Sequence, residues 1–257
     1  MRFSVLASGS RGNSVYVEAE DTKILIDAGL SCRELVRRLD IINARPSSFD
    51  ALVVTHEHSD HIRGAGPVVR RFDIPLYIND STFKEGMKSL GTISRQVTVR
   101  TGQTLRVNNL EIETFTKCHD AADPMGLIIS YNGSRLGIIT DLGKSTRLVE
   151  ERLKNCNALI IEFNHDIDML DNGSYPLNLK RRIKGRDGHL SNKQAGDLLK
   201  NVVCKKLSKV VLAHLSQENN LPEIAYRTAK EALIHYGARQ PEILISLQDQ
   251  PMPLMDI

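Results

Sequence analysis

A chain of 257 residues, 41% hydrophobic and 25% charged, is long enough to bury a large core and has the make-up of a globular protein, not of a disordered or fibrous one. Its formal net charge of +3 demands no polyanionic partner, so any basic surface must be local. No apolar run approaches the roughly 18 residues of a membrane span, and the opening "MRFSVLASGS" breaks at Ser8 and Gly9, too early for a secretory leader.

A cytoplasmic protein with one domain over residues 1–257 is therefore expected. Cys32, Cys118, Cys156 and Cys204 are scattered without a C-x-x-C pair, which points to reduced thiols and away from a zinc knuckle or a disulfide framework.

In chain order, "RFSVLAS", "VYVEA" and "KILIDAG" predict short strands, their apolar and β-branched residues separated by Gly, Asn and Asp turn signals. "SCRELVRRLDII", with Ser31 as N-cap and apolar Leu35, Val36 and Leu39, predicts an amphipathic helix leading into the strand "ALVVT". "GAGPVVRRF" reads as a helix, "IPLYIN" as a strand, "STFKEGMKSL" as a second helix and "QVTVRTGQTLRVNNLEIETFT" as a run of short strands. "GLIISY" and "RLGIIT" flank a hairpin turn for which Asn132 and Gly133 supply the positive φ values. A helix around "STRLVEERLKN", a strand "ALIIEF", an irregular stretch to Arg186, a helix "SNKQAGDLLKNV", a strand "KVVLAHLS", a helix "LPEIAYRTAKEALIHYG" and a strand "EILISL" complete the chain.

The densest chemistry lies where "ALVVT" ends. Three of the eight histidines fall within residues 56–61 in the pattern H-x-H-x-D-H, as His56, His58, Asp60 and His61. In an extended segment His56 and His58 project to one side, while Asp60 and His61 follow once the chain turns, which favours two adjacent ions over one. Imidazole with carboxylate suits zinc, manganese or iron, and two such ions roughly 3.5 to 4 Å apart can share a hydroxide nucleophile. Further ligands must come from other strand exits, where His119, Asp141 and His214 stand. A lone histidine in such a place is more often structural, but beside the cluster these three become ligand candidates.

A hydrolytic metal centre also needs an acid to protonate the leaving group. His189, after Gly188 and just before the N-cap Ser191, is the first candidate, and His165 in "NHD" competes as acid or as substrate contact. "LKRRIKGR" places Arg181, Arg182, Lys184 and Arg186 before His189. Such a run is usually a solvated face, yet beside a metal site it becomes a phosphate-contact patch. "SGSRGNS" offers Ser10 and Asn13, as a plain turn or as a phosphate-holding loop. Aromatic residues are only 5%, with no Trp, so backbone recognition is expected over base stacking.

Asp27 in "LIDAG", the cluster at 56–61, His119, Asp141 and His214 together resemble the metallo-β-lactamase superfamily, in the family's order and over nearly the whole chain. "LASGSRGNS", "IIEFNHDIDML" and "KRRIKGRDGHLSN" narrow the resemblance to its YycJ/WalJ branch, related to tRNA 3′-processing endonucleases and phosphodiesterases. The resemblance implies an αββα sandwich of the α/β (α+β) class, two mixed sheets flanked by helices, with two divalent ions per chain (zinc or manganese, with iron as an option). It implies a nucleic-acid substrate, DNA before RNA, cut 5′-to-3′ by a metal-bridging hydroxide.

By the same resemblance His56, His58 and His119 hold the first ion, Asp60, His61 and His214 the second, and Asp141 bridges both. Asp60 also orients the nucleophile, Asp27 supports the ligands, His189 protonates the leaving group and Glu162 orients His189. Fold alone does not fix the reaction. An RNA-processing nuclease, a cyclic-nucleotide or small-molecule phosphodiesterase, a thioester hydrolase, and a binding module with a vestigial metal site stand as alternatives.

Overall fold

Ile24 and Ile26 leave their strand on one side and Leu25 on the other, and repetition of this period-two sorting builds a layered molecule. The structure, a computed structural model, describes residues 1–44, 49–234, 236–237 and 240–257. The first half runs β1 (Arg2–Ala7), β2 (Ser14–Ala19), β3 (Thr22–Ile26), α1 (Cys32–Ile41), β4 (Ala51–Val53), α2 (Ser59–Ile62), α3 (Ala65–Phe72), β5 (Leu76–Ile78), α4 (Asp80–Leu90) and β6 (Gln96–Thr98). The second half runs β7 (Thr104–Val107), β8 (Leu110–Thr116), β9 (Met125–Tyr131), β10 (Ser134–Ile139), α5 (Arg147–Leu153), β11 (Ala158–Glu162), α6 (Ile167–Asn172), α7 (Leu177–Lys184), α8 (Asn192–Val202), β12 (Lys209–Ala213), α9 (Pro222–Leu233), β13 (Glu242–Ile245) and β14 (Met255–Asp256).

Among the described residues the strands form two seven-stranded mixed sheets, ordered β14-β1-β2-β3-β4-β5-β6 and β13-β12-β11-β10-β9-β8-β7. In each sheet one half is antiparallel and the other parallel. One apolar cluster, including Ile24, Val53, Ile129, Ile160 and Val211, is built from the facing strands of both sheets. A second joins the backs of β3 and β4 to α1 and α3 through Leu25, Leu52, Leu35 and Val68, and a third joins β11 and β12 to α5, α8 and α9 through Leu159, Leu212, Val149, Leu198 and Ala225. Each such fully buried side chain stabilises the fold by roughly 1.5–3 kcal/mol before entropy is charged. The αββα sandwich is thus present, with helices on both outer faces.

The predicted strands and helices recur with shifted ends, and the hairpin turns at Asn132 and Gly133 with φ of 45° and 81°. The last predicted helix is seen as α9; its His235 lies outside the described residues. The stretch expected to be irregular up to Arg186 instead contains α6 and α7. Asp166 caps α6 by accepting from the Met169 N–H (3.0 Å). No residue of α7 is buried and four of its eight are Lys or Arg, so the short apolar set Leu177, Leu179 and Ile183 gives a weak periodic signal. Among the described residues no helix is long and apolar enough to cross a membrane, and the four cysteines are free thiols.

This topology gathers the polar strand exits. Strands β1, β3, β4, β8, β10, β11 and β12 deliver Ser8–Asn13, Asp27, Thr55–His61, Lys117–His119, Asp141, Glu162 and His214 to one edge of the sandwich. Open α/β sheets place ligands at the carboxyl ends of their strands in the same way.

Candidate metal centre

Asp27 organises the histidine cluster from below. Its Oδ1 accepts the Thr55 backbone N–H (2.8 Å), and its Oδ2 accepts both the Thr55 hydroxyl (2.8 Å) and Nδ1–H of His61 (2.7 Å). Having donated to Asp27, the Thr55 hydroxyl accepts from Nδ1 of His56 at 3.0 Å. Both imidazoles are thereby oriented through Nδ1 with Nε2 turned into the site, where on His61 it lies 3.0 Å from the Asn13 amide nitrogen. On His56 that atom is buried without a hydrogen-bond partner among the described residues.

The same reasoning reaches His58 and His119. His119 donates Nδ1–H to the Gly188 carbonyl (3.2 Å) and His58 donates Nε2–H to the Asp120 carbonyl (3.1 Å). Their remaining nitrogens, His119 Nε2 and His58 Nδ1, then face each other as lone pairs 3.1 Å apart. With His56 they form a set of ligand atoms within 4.8 Å of one another. Three converging lone pairs repel unless a cation lies among them, so the donor set fits a metal ion.

A second set adjoins the first. His61 Nε2 lies 3.2 Å from Asp141 Oδ2 and 3.5 Å from Asp60 Oδ2, and His214 Nδ1 lies 3.0 Å from Asp141 Oδ1. Asp141 Oδ1 also lies 3.9 Å from His119 Nε2, so this one carboxylate faces both sets, and its Oδ2 is buried without a hydrogen-bond partner among the described residues.

Protons compete for the same places that ions would take. Burial opposes charge on His61 and His214, yet the Asp141 carboxylate holds His61 well above its ordinary value and lifts His214 to about 9. Burial pushes His56 well down and His119 down to about 3.

Asp27, Asp141 and His214 all adopt left-handed backbone, with φ of 57°, 54° and 55°. Side-chain-bearing residues seldom do so, and such strain concentrates at functional sites. Glu162 and Lys117 pin the turn at Asp141. The fully buried Glu162 accepts the N–H groups of Asp141 (3.2 Å), Leu142 (3.0 Å) and Leu190 (3.0 Å), while the buried Lys117 donates Nζ–H to the Thr140 carbonyl (2.6 Å). Burial alone would raise the Glu162 carboxyl, but the charge and hydrogen bond of His189 keep it below its ordinary value. A fourth donor to Glu162 is His189, whose Nδ1–H reaches Oε1 at 2.8 Å.

The other residues singled out in the sequence separate into those facing the site and those used internally. Ser10 is exposed, whereas Asn13 is buried and its amide donates to Asp60 Oδ2 (3.0 Å) and the Gly9 carbonyl (3.1 Å), so it holds a ligand candidate in place. Lys184 pairs with Asp171, and Arg182 donates to Asp120 Oδ2 (2.6 Å) beside His119. Arg181 and Arg186 are exposed. His165 is 1% exposed, and its Nδ1 has no hydrogen-bond partner among the described residues.

Thr55, Lys117 and Ser8, whose hydroxyl accepts the His214 N–H at 2.7 Å, escaped the sequence reading.

Two consequences are measurable. Asp27→Asn replaces an acceptor shared by two donors with an amide and releases the His61 tautomer. Metal affinity is expected to fall about 10–100-fold, measured by chelator competition, and an unchanged affinity would refute this role.

For His165, burial pushes the imidazole down to about 4, against the opposing charge of Glu162. A folded value below the unfolded one of about 6.5 means the unfolded chain takes up the proton first. Stability is therefore complete above that pH and is lost as pH falls toward 4, by at most about 3 kcal/mol from this group. Urea unfolding of the wild type and His165→Gln across that window checks it; a difference between the two that is independent of pH would contradict it.

A family model described as beta-lactamase superfamily domain matches residues 22–215. Exodeoxyribonuclease YycJ of Bacillus anthracis is 36% identical over 239 residues, covering 92% of this chain and 90% of that protein. Exodeoxyribonuclease WalJ of Streptococcus pneumoniae is 37% identical over 231 residues, covering 88% of this chain and 86% of that protein. Among solved structures, the metallo-beta-lactamase fold protein YhfI of Bacillus subtilis shares the fold with a TM-score of 0.75, covering 98% of this chain and 99% of that one at 16% identity. The strand-end constellation and these relatives agree: the chain belongs to the beta-lactamase superfamily, in its YycJ/WalJ branch.

Proposed function

We propose that this protein is a cytoplasmic two-metal nuclease that hydrolyses DNA from its 5′ end. The observation that carries the reading is the convergence of imidazole nitrogens, that of His56 without a hydrogen-bond partner among the described residues, with the unpartnered oxygen of Asp141. The exodeoxyribonuclease names of its relatives support DNA as the substrate. His56, His58 and His119 would hold one divalent ion, Asp60, His61 and His214 the second, with Asp141 shared; imidazole and carboxylate suit zinc, manganese or iron. When bound, such ions polarise a phosphate oxygen and make water nucleophilic at neutral pH.

The chain's own groups do the rest. Asp60, steadied by the Asn13 amide, orients the attacking water. His189, held at Nδ1 by Glu162, presents Nε2 and gives its proton to the leaving sugar oxygen. Ser10, Arg181 and Arg186, all exposed, contact the phosphate backbone, while Arg182 and Lys184 are paired with Asp120 and Asp171.

Linear duplex DNA labelled at the 5′ or the 3′ end and incubated with Mn²⁺-loaded protein tests the proposal. Early release of the 5′ label as mononucleotide is expected. Earlier release of the 3′ label would reverse the polarity, and intact DNA with both ions confirmed bound would overturn the nuclease reading.

A further inference from the structure

Beside the metal centre the surface opens into a cavity of about 440 Å³. Leu215, Leu221, Pro222 and Leu247 line it, together with the exposed amides of Gln217 and Gln250. Its position is set by the site. Leu215 directly follows His214, and Ser8, on the cavity wall, accepts the His214 N–H. Gln248, also on the wall, is riveted to the loop that follows β1: its Oε1 accepts the Arg11 N–H (2.8 Å) and its Nε2 donates to the Gly12 carbonyl (2.9 Å). That loop ends in Asn13, which holds Asp60. A group seated in the cavity is thus in fixed register with the candidate metal ligands.

The lining selects the group. Among the described residues no Lys or Arg lines the cavity, and its one acid, Asp249, is paired with Arg11 (2.9 Å). A phosphate finds hydroxyl and amide donors there but no cationic partner among the lining residues. Leu221 and Leu247 remain 48% and 40% exposed, more apolar surface than a leucine leaves in water at no cost. Apolar walls with primary amides at hand suit a flat, neutral group that has apolar faces and hydrogen-bonding edges, and the volume lies in the range of small-ligand sites.

We infer that this cavity seats the nucleobase of the nucleotide adjoining the scissile phosphate. The inference rests on the phosphodiesterase reading above and deepens it, because it adds base contact to a site whose aromatic-poor sequence promises backbone contact alone. Leucine side chains take the place of an aromatic platform.

Calorimetry with Mn²⁺-loaded protein tests the assignment using deoxynucleoside 5′-monophosphates and deoxyribose 5-phosphate, which carries a hydroxyl at C1′ in place of the base. The monophosphates are expected to bind at least about tenfold more tightly. In the double variant Leu221→Ser, Leu247→Ser that advantage should fall below about threefold, with deoxyribose 5-phosphate binding as before. Both leucines are partly exposed, so the variant should keep its melting temperature to within a few degrees. Equal affinities in the wild type, or an advantage that survives in the variant, would overturn the inference. A base advantage in a protein that leaves DNA intact would keep the cavity assignment while the nuclease reading fell.

Discussion

Replacing Asp141 with asparagine is expected to lower DNA cleavage by roughly a thousandfold or more and to reduce the bound metal below two ions per chain. Asp141 is the carboxylate that faces both nitrogen sets, 3.2 Å from His61, 3.0 Å from His214 and 3.9 Å from His119. On the two-ion proposal, a neutral amide there would leave the cations of both half-sites without the shared charge that offsets their mutual repulsion. Loss of several kcal/mol of charge stabilisation corresponds to the stated factor. Asparagine is the informative substitution because it tolerates the left-handed φ of 54°, which alanine would strain. Metal content by mass spectrometry, turnover and melting temperature, measured together, separate a lost site from a lost fold. Two ions per chain with wild-type turnover would show that Asp141 is not shared between them.

How much of this site could be read in advance follows from how local each signal is. The H-x-H-x-D-H segment packs four ligand candidates into six residues, a density that needs no tertiary information to notice. His119, Asp141 and His214 were legible because each closely follows a recognisable strand, and β8, β10 and β12 share one sheet whose edge gathers those exits. The role of Thr55 depends instead on its hydroxyl lying between His56 and Asp27, and that of Lys117 on a carbonyl 23 residues away. Neither geometry leaves a periodic mark.

Helix α7 escaped notice for a related reason. Its basic face dominates, and the acids that hold Arg182 and Lys184, Asp120 and Asp171, are tertiary partners. The leucine-lined cavity draws on segments from residue 8 to residue 250, far beyond the reach of any window.

His189→Ala is expected to cut turnover on DNA by about two to four orders of magnitude while leaving metal content unchanged. Of the two histidines that compete as acid in the sequence, His165 is 1% exposed, whereas His189 keeps a partly exposed side chain. The His189 ring stands 5.3 Å from that of His119 and 5.2 Å from that of His214, at the junction of the two ligand sets. With Nδ1–H committed to Glu162, and Glu162 held by three backbone N–H groups, the ring has one orientation, and as the acid it would give its Nε2 proton to the leaving oxygen. Glu162→Gln would disturb both His189 and the turn at Asp141, so it cannot isolate the acid. A change of leaving group does. A p-nitrophenyl ester of thymidine 5′-monophosphate departs without needing a proton, so the deficit of His189→Ala on it should shrink to within about tenfold of wild type. An equal deficit on DNA and on the nitrophenyl ester would mean that His189 supports the architecture of the site and transfers no proton.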